Sequence, residues 1–359
     1  MPSPVLISLD AMGGDHGPPV VVGGIAEYRK RHGGDGVRFL LNGDEAAIRA
    51  EITRCGLPDD LFEVRHTDKV VAMDEKPATA MRRGKGSSLW NAIEAVKTGE
   101  AAAVVSAGNT GALMAISKLI LRMSAPGLER PAIVASWPTK RGVTAVLDVG
   151  ANVESDAAQL VEFAIMGEAF MTAVHGVARP TVGVLNVGSE DMKGHEEVRE
   201  AARLLREGGL GLSYHGFVEG DDIAKGTVDV VVTDGFTGNI ALKTAEGVAK
   251  FIGGLTREAL TSSLLAKAGA ALAYAALKRM SARIDPNAIN GGPLLGLNGI
   301  VVKSHGGATP DGFGAAIRIA VDLARSDYMT KVGAKLQRLT TVLEQPPAPD
   351  ADTAKESSQ

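Results

Sequence analysis

Cysteine is almost absent from this chain: Cys55 stands alone among 359 residues. One thiol excludes an internal disulfide and a cysteine-built metal cluster. Its surroundings, Ile52-Thr53-Arg54-Cys55-Gly56-Leu57, carry no loop signature, so a structural thiol is expected rather than a nucleophile. Aromatic residues make up only 4% of the chain, which argues against a carbohydrate cleft or a base-stacking nucleic-acid platform. A net charge of -4 gives no general attraction to nucleic acid, and none is expected as a partner. No uninterrupted apolar run reaches about 18 residues, so no transmembrane helix is expected. Met1-Pro2-Ser3-Pro4 lacks a basic region leading into an apolar stretch, so no secretory signal is expected and the reading is of a cytoplasmic protein.

Several catalytic signatures are missing as well. The seven histidines are scattered, without His-Glu-x-x-His or another paired spacing, so no zinc or other metal site is expected. A Gly-x-Ser-x-Gly elbow is lacking, and Gly84-Lys85-Gly86-Ser87-Ser88 is not a Walker A loop because the upstream glycine is missing. No Gly-x-Gly-x-x-Gly follows the first strand. What remains is group transfer involving phosphate, with no cofactor, no metal and no obvious covalent nucleophile.

Short apolar runs alternate with helical patterns. Strands are expected at Val37–Leu41, Ala103–Ser106, Ala132–Ser136, Thr144–Leu147, Thr181–Leu185, Val228–Thr233 and Gly299–Lys303. Helices are expected at Ser88–Thr98, Thr110–Met123, Ser155–Val174, Glu196–Glu207, Asn239–Leu260 and Asp311–Ala324. This alternation predicts an α/β fold, a mostly parallel sheet with helices on both faces. The expected organisation is one large unit over 1–343 and a disordered tail at 344–359, rich in Pro, Ala, Ser and charge.

The 44 glycines are well above average usage, so many tight loops are expected, several of them after strands. After Val5-Leu6-Ile7-Ser8-Leu9 comes Asp10-Ala11-Met12-Gly13-Gly14-Asp15-His16-Gly17-Pro18, poor packing material that suits a small-molecule site. Ser106-Ala107-Gly108-Asn109-Thr110 opens a helix whose amides suit an anion such as phosphate, although Asn109 or Thr110 also suits a simple cap. Asp148-Val149-Gly150-Ala151-Asn152 follows another strand. Asn186 to Gly194 holds Lys193, placed to pair with phosphate, to polarise a carbonyl, or merely to face solvent. Asp234-Gly235-Phe236-Thr237-Gly238-Asn239 has Lys243 about one turn further on, and Ser304-His305-Gly306-Gly307 follows the last strand. In a parallel sheet these loops would line one edge and form a phosphate-compatible pocket.

The segment 259–284 contains no acidic residue and carries Lys267, Lys278, Arg279 and Arg283 among Leu264, Leu265 and many alanines. Its apolar residues recur at helical spacing. It reads either as a helical hairpin packed on the core or a dimer partner, or as a basic amphipathic element for an anionic membrane or an acidic protein.

Taken in series, these loops resemble the bacterial phosphate acyltransferases of phospholipid synthesis. The likeness runs from about Val5 to Leu343 and rests on Ile7 to Pro18, Val105 to Leu113, Asp148 to Asn152, Asp234 to Asn239 with Leu242-Lys243, and Pro293 to Gly296. Two places depart from it: Arg82-Arg83-Gly84-Lys85-Gly86-Ser87-Ser88 spaces its charges with glycines, and Gly307-Ala308 stands where the family often has Ser after His-Gly.

The resemblance implies an isocitrate/isopropylmalate dehydrogenase-like fold with a deep cleft, assembled as a homodimer. It implies transfer of a fatty acyl group from acyl carrier protein to inorganic phosphate. A phosphate acetyltransferase using acetyl-coenzyme A, an isopropylmalate-type dehydrogenase and a non-catalytic carrier- or lipid-binding scaffold are the alternatives. On this reading Lys193 holds phosphate or polarises the carbonyl, and Asn239 donates to the oxyanion. Gly13, Gly14, Asn109 and Thr110 contact phosphate, while Asp10, Asp15, Asp148 and Asp234 orient Lys193, Lys243 or His16 or brace loops. Ser106, Asn152 and His305 complete the expected substrate site. Arg82, Arg83 and Lys85, with the basic segment, are expected to meet the acidic carrier. Peripheral contact with the inner face of the cytoplasmic membrane, or with a membrane-bound glycerol-3-phosphate acyltransferase, is also expected.

Overall fold

A computed structural model describes residues 4–33, 36–126, 128–284 and 290–343; the expected tail at 344–359 lies outside them. Its strands are β1 (Val5–Asp10), β2 (Val37–Gly43), β3 (Phe62–His66), β4 (Ala103–Ser106), β5 (Ala132–Pro138) and β6 (Val143–Leu147). They continue with β7 (Thr181–Leu185), β8 (Ser213–Val218), β9 (Val230–Val232), β10 (Gly292–Leu295) and β11 (Ile300–Lys303). The helices are α1 (Pro18–His32), α2 (Glu45–Cys55), α3 (Pro77–Arg83), α4 (Ser88–Lys97), α5 (Thr110–Leu121), α6 (Ala157–His175) and α7 (Glu196–Glu207). Then follow α8 (Gly220–Lys225), α9 (Gly235–Thr261), α10 (Leu264–Leu272), α11 (Tyr274–Ile284), α12 (Pro310–Arg325) and α13 (Tyr328–Leu343).

One sheet runs β3-β2-β1-β4-β11-β10-β5-β6-β9-β7-β8. Side chains alternate across it with the period of two that a strand imposes. Ile7 and Leu9 of β1 and Val105 of β4 join a core with Phe163, Phe170 and Phe313. Val104 of the same strand faces the other way, into a second core with Leu89, Leu113 and Ile116. Both faces are therefore covered by helices. At 19 residues α6 is long and apolar enough to cross a membrane, but Phe163, Ile165, Met166 and Phe170 bury it in the first core. Its Gly167 admits the sheet closely: a Cβ there would stand 2.5 Å from Val230 and 2.8 Å from Leu147.

Most neighbouring strands are parallel, with β10–β11, β10–β5 and β5–β6 antiparallel. These three reversals divide the sheet into two parallel blocks of opposite direction, β3-β2-β1-β4-β11 and β6-β9-β7-β8. The strand-end loops consequently do not share one edge. Those after β1, β4 and β11 leave one edge; those after β6, β7 and β9 leave the opposite one.

Every strand expected from the sequence is present, with Val228–Thr233 trimmed to Val230–Val232. The helix expected at Asn239 begins four residues earlier because Asp234 caps it, accepting from the Thr237 amide at 2.8 Å. Three strands were not expected. β3 carries charged Glu63 and Arg65 as an edge strand, β8 is broken by Gly216, and β10 opens Gly-Pro, which argues locally against a strand. The segment 259–284 is two helices, α10 and α11. α10 packs on α9 and α11. Leu264, Leu265 and Leu272 are 87%, 85% and 92% exposed, so no apolar face of α10 is packed on the core.

Candidate functional site

At the first edge β1, β4 and β11 lie side by side, with Lys303 in register with Ser106. Ser106 Oγ donates to Asp10 Oδ2 at 2.7 Å and accepts from the Gly108 amide at 2.9 Å. Burial pushes the Asp10 carboxyl above its ordinary range, opposed by the Ser88 and Ser106 hydroxyls and the Met12 and Gly13 amides. Gly13 and Gly14 serve neighbouring backbone before any ligand. A Cβ on Gly13 would stand 2.5 Å from Asp10 Oδ2 and 2.8 Å from the Gly108 nitrogen. One on Gly14 would stand 2.9 Å from both Ala107 Cβ and the Gly306 carbonyl, and its φ is +87°. The Asp15 amide donates to that Gly306 carbonyl at 3.0 Å, joining the first and last loops.

Asn109 caps α5, accepting from the Ala112 amide at 3.0 Å, while its Nδ2 donates to the Met73 and Glu75 carbonyls. Its side chain is thus committed to the loop. Thr110 is exposed at the first turn of α5, where the helix's N-terminal amides have no partner within the helix. Asp15 and His16 are exposed at the rim.

Sequence reasoning missed Lys303, which ends an apolar strand and so passed for its boundary. Its Nζ donates to the Ala107 carbonyl at 3.1 Å and to the Ser304 carbonyl. Burial pushes its ammonium down to about 8; Asp10 and Asp15 favour the charged form and Lys243 opposes it. His305 is likewise lowered, by burial and then by Lys243. Its amide donates to Asn290 Oδ1 at 3.1 Å, and Asn290 Nδ2 donates to Ser304 Oγ at 2.9 Å.

At the opposite edge, Asp148 is fully buried and saturated. Oδ1 accepts from the Ile133 amide at 2.9 Å, and Oδ2 accepts from the Asn152 amide at 2.6 Å and from Asn152 Nδ2 at 2.9 Å. Asn152 Nδ2 also donates to the Pro131 carbonyl at 3.0 Å. These two residues brace the turn. Asp234 holds the start of α9 through the Thr237 amide and hydroxyl. Gly238 lies so close to the Asp148 carbonyl that any side chain there would collide with it, and exposed Asn239 packs beside Gly150.

Lys193 belongs to this same edge, in the loop after β7, next to β9. It is exposed and pairs with Glu190 at 2.8 Å, which raises the lysine's pKa and lowers the glutamate's. No hydrogen bond among the described residues ties it to Asn239, Asp148 or Asp234. α9 connects the two edges: Asn239 starts beside Gly150, and Lys243, paired with Glu246 at 2.9 Å, is close enough to His305 and Lys303 to act on both.

Arg82 and Arg83 end α3, and Lys85 follows in the next turn, all three exposed. Lys267, Lys278 and Arg279 are exposed on α10 and α11. A cavity of about 350 Å³ between α1, α6 and α12, lined by His32, Ser136, His175 and Arg318 among others, includes none of the loop residues above.

Residues 5–331 match the family described as fatty acid synthesis protein. A phosphate acyltransferase of Caulobacter vibrioides is 67% identical over 340 residues, 95% of this chain and 94% of the relative. One from Phenylobacterium zucineum is 60% identical over 97% of this chain and 98% of its own length. Among solved structures, a phosphotransacetylase from Streptococcus pyogenes superposes with a TM-score of 0.60 at 16% identity, covering 89% of this chain and 94% of its own. That likeness is one of fold. Sequence identity of this extent along almost the whole length places the chain in the phosphate acyltransferase family.

Proposed function

We propose that the chain transfers a fatty acyl group from the thioester of acyl carrier protein to inorganic phosphate, releasing acyl phosphate and free carrier thiol. Family membership over nearly the full length carries this reading, and the strand-end chemistry supports it. A thioester is already activated, and phosphate is substantially dianionic near neutral pH, so direct attack needs no enzyme nucleophile. Cys55, in the last turn of α2, is consistent with that. The leaving thiolate has a pKa of about 8.5 and needs little acid assistance.

The protein's task is then alignment and charge stabilisation. The N-terminus of α5 and the Gly13-Gly14 turn face phosphate at the first edge. From α9, one turn before the Lys243 that acts on Lys303 and His305 at the first edge, Asn239 donates to the oxyanion of the tetrahedral intermediate. Lys193 polarises the thioester carbonyl as it enters between the two edges. Asp10, Asp148, Asn152 and Asp234 act as braces for those loops. His305, kept neutral by burial and Lys243, offers a hydrogen bond without competing charge.

The exposed cations Arg82, Arg83 and Lys85 are the docking surface for the acidic carrier. The bare apolar faces of α9 and α10, with Phe251, Ile252, Leu264 and Leu265 exposed, serve a second copy of the chain and the inner surface of an anionic membrane, where a membrane-bound glycerol-3-phosphate acyltransferase would receive the product. The deciding assay mixes acyl carrier protein thioester, phosphate and enzyme and traps acyl phosphate with hydroxylamine. Hydroxamate formed only with phosphate and the carrier thioester supports the reading; formation from acetyl-coenzyme A alone overturns it.

A further inference from the structure

We infer that Lys303, rather than Lys193, is the cation that seats inorganic phosphate, a substrate-binding residue at the end of β11. The assignment rests on the acyl transfer to phosphate proposed above and says which lysine serves which reactant. Three observations carry it. First, Lys303 is aligned with Ser106, and its Nζ is held on the Ala107 carbonyl, three residues before Thr110 opens α5. Ammonium and helix N-terminus, the two anion-favouring groups of this edge, are thus joined through one short loop.

Second, Lys303 is positioned and Lys193 is not. The Lys303 ammonium rests on two main-chain carbonyls, and its third hydrogen makes no bond among the described residues. Carbonyls orient an ammonium without neutralising it. The charge of Lys193, by contrast, is answered by Glu190 in an exposed pair. Third, the charges facing Lys303 are Asp10 from β1, Asp15 from the following loop and Lys243 from α9. Ser106 already engages Asp10, and Glu246 pairs with Lys243. A phosphate dianion reaching this end of β11 therefore meets Lys303 as the cation without an ion-pair partner of its own among the described residues, and Lys243 as the second positive charge nearby. Lys193 is left free to serve the thioester.

The test compares wild type, Lys303→Gln and Lys303→Arg in equilibrium dialysis with radiolabelled inorganic phosphate, and separately in steady-state assays varying phosphate and acyl carrier protein thioester. Lys303→Gln is expected to raise both the phosphate Kd and the phosphate KM by about 10- to 100-fold, with the thioester KM within about two-fold of wild type. Lys303→Arg keeps the charge at every working pH, so it restores most of the affinity and abolishes the loss of phosphate binding expected in wild type as pH rises through about 8. Wild-type phosphate affinity in a folded Lys303→Gln protein, or an unaltered alkaline limb in Lys303→Arg, overturns the assignment. Dialysis requires no acyl transfer, so a wild type that binds phosphate yet forms no hydroxamate refutes the acyltransferase reading alone.

Discussion

Ser106 and Asp10, 96 residues apart in sequence, share a 2.7 Å hydrogen bond with neither side chain open to solvent. The hydroxyl holds the ends of β1 and β4 at one height and stabilises a carboxylate that burial disfavours. Ser106→Ala should therefore cost about 1.5–3 kcal/mol in urea unfolding and push the Asp10 carboxyl further up. A loss below about 0.5 kcal/mol would show that Ser88 and the Met12 and Gly13 amides suffice.

The glycines separate backbone freedom from space. Gly14 and Gly86 both have positive φ, +87° and +81°, but only Gly14 has atoms within 4 Å of an added Cβ. Gly86→Ala should cost about 1–2 kcal/mol for conformation alone. Gly14→Ala and Gly13→Ala should cost more and abolish activity, because the β1, β4 and β11 loops must separate. Thermal melts of the three variants rank them, and equal Tm values would refute the packing argument.

Glu162 makes stability depend on pH. It is 9% exposed on α6, and burial, reinforced by Asp156 and Glu129, pushes its carboxyl up to about 8. The unfolded chain loses this proton near 4.5 and the folded chain near 8, so between those values the folded state binds more protons and its stability falls as pH rises. The fall is on the order of a few kcal/mol. Glu162→Gln should flatten it; urea unfolding at several pH values between 5 and 9 measures the slope, and an unchanged slope would place the titration elsewhere.

Lys193→Ala and Asn239→Ala should each lower turnover by about 10²-fold or more while the protein stays folded, since each removes stabilisation of the oxyanion or the carbonyl. Both side chains are exposed, so circular dichroism and Tm should stay near wild type. Hydroxylamine trapping reads the rate, and near-normal turnover in either variant removes that residue from the chemistry.

Leu264→Glu/Leu265→Glu should leave the fold intact, because both side chains project from it. The pair should weaken sedimentation with anionic vesicles by about ten-fold or more. Size-exclusion chromatography of the same protein reports on self-association. Undiminished vesicle binding would remove this tip from any membrane contact.

Alternation of apolar runs was enough to place eight strands, the one over Val5–Leu9 and the seven that follow, because buried strands leave a local imprint. β10 was illegible for a related reason. Its Gly-Pro opening looks like a turn, and only the long-range pairing with β5 and β11 makes it a strand. The same blindness to pairing put all the candidate loops on one edge. Asp148 and Asp234 were recognisable as polar strand-end residues, but spacing alone could not show that amides and a hydroxyl already occupy their carboxylates. Lys303 was hidden by position: a lysine closing a Val-Val strand has no motif, and its value comes from Ala107, nearly two hundred residues earlier.

The order of the sheet also bears on how the chain is made. β4 and β5 are near in sequence, yet β11 and β10 lie between them, and these strands end at residue 303. A chain emerging from the ribosome therefore holds two separate half-sheets until its last fifth or so appears. The exposed flanks of β4 and β5 need protection throughout that interval, since unpaired strand edges invite association. A truncation before β10 would be expected to yield aggregates rather than a smaller working enzyme.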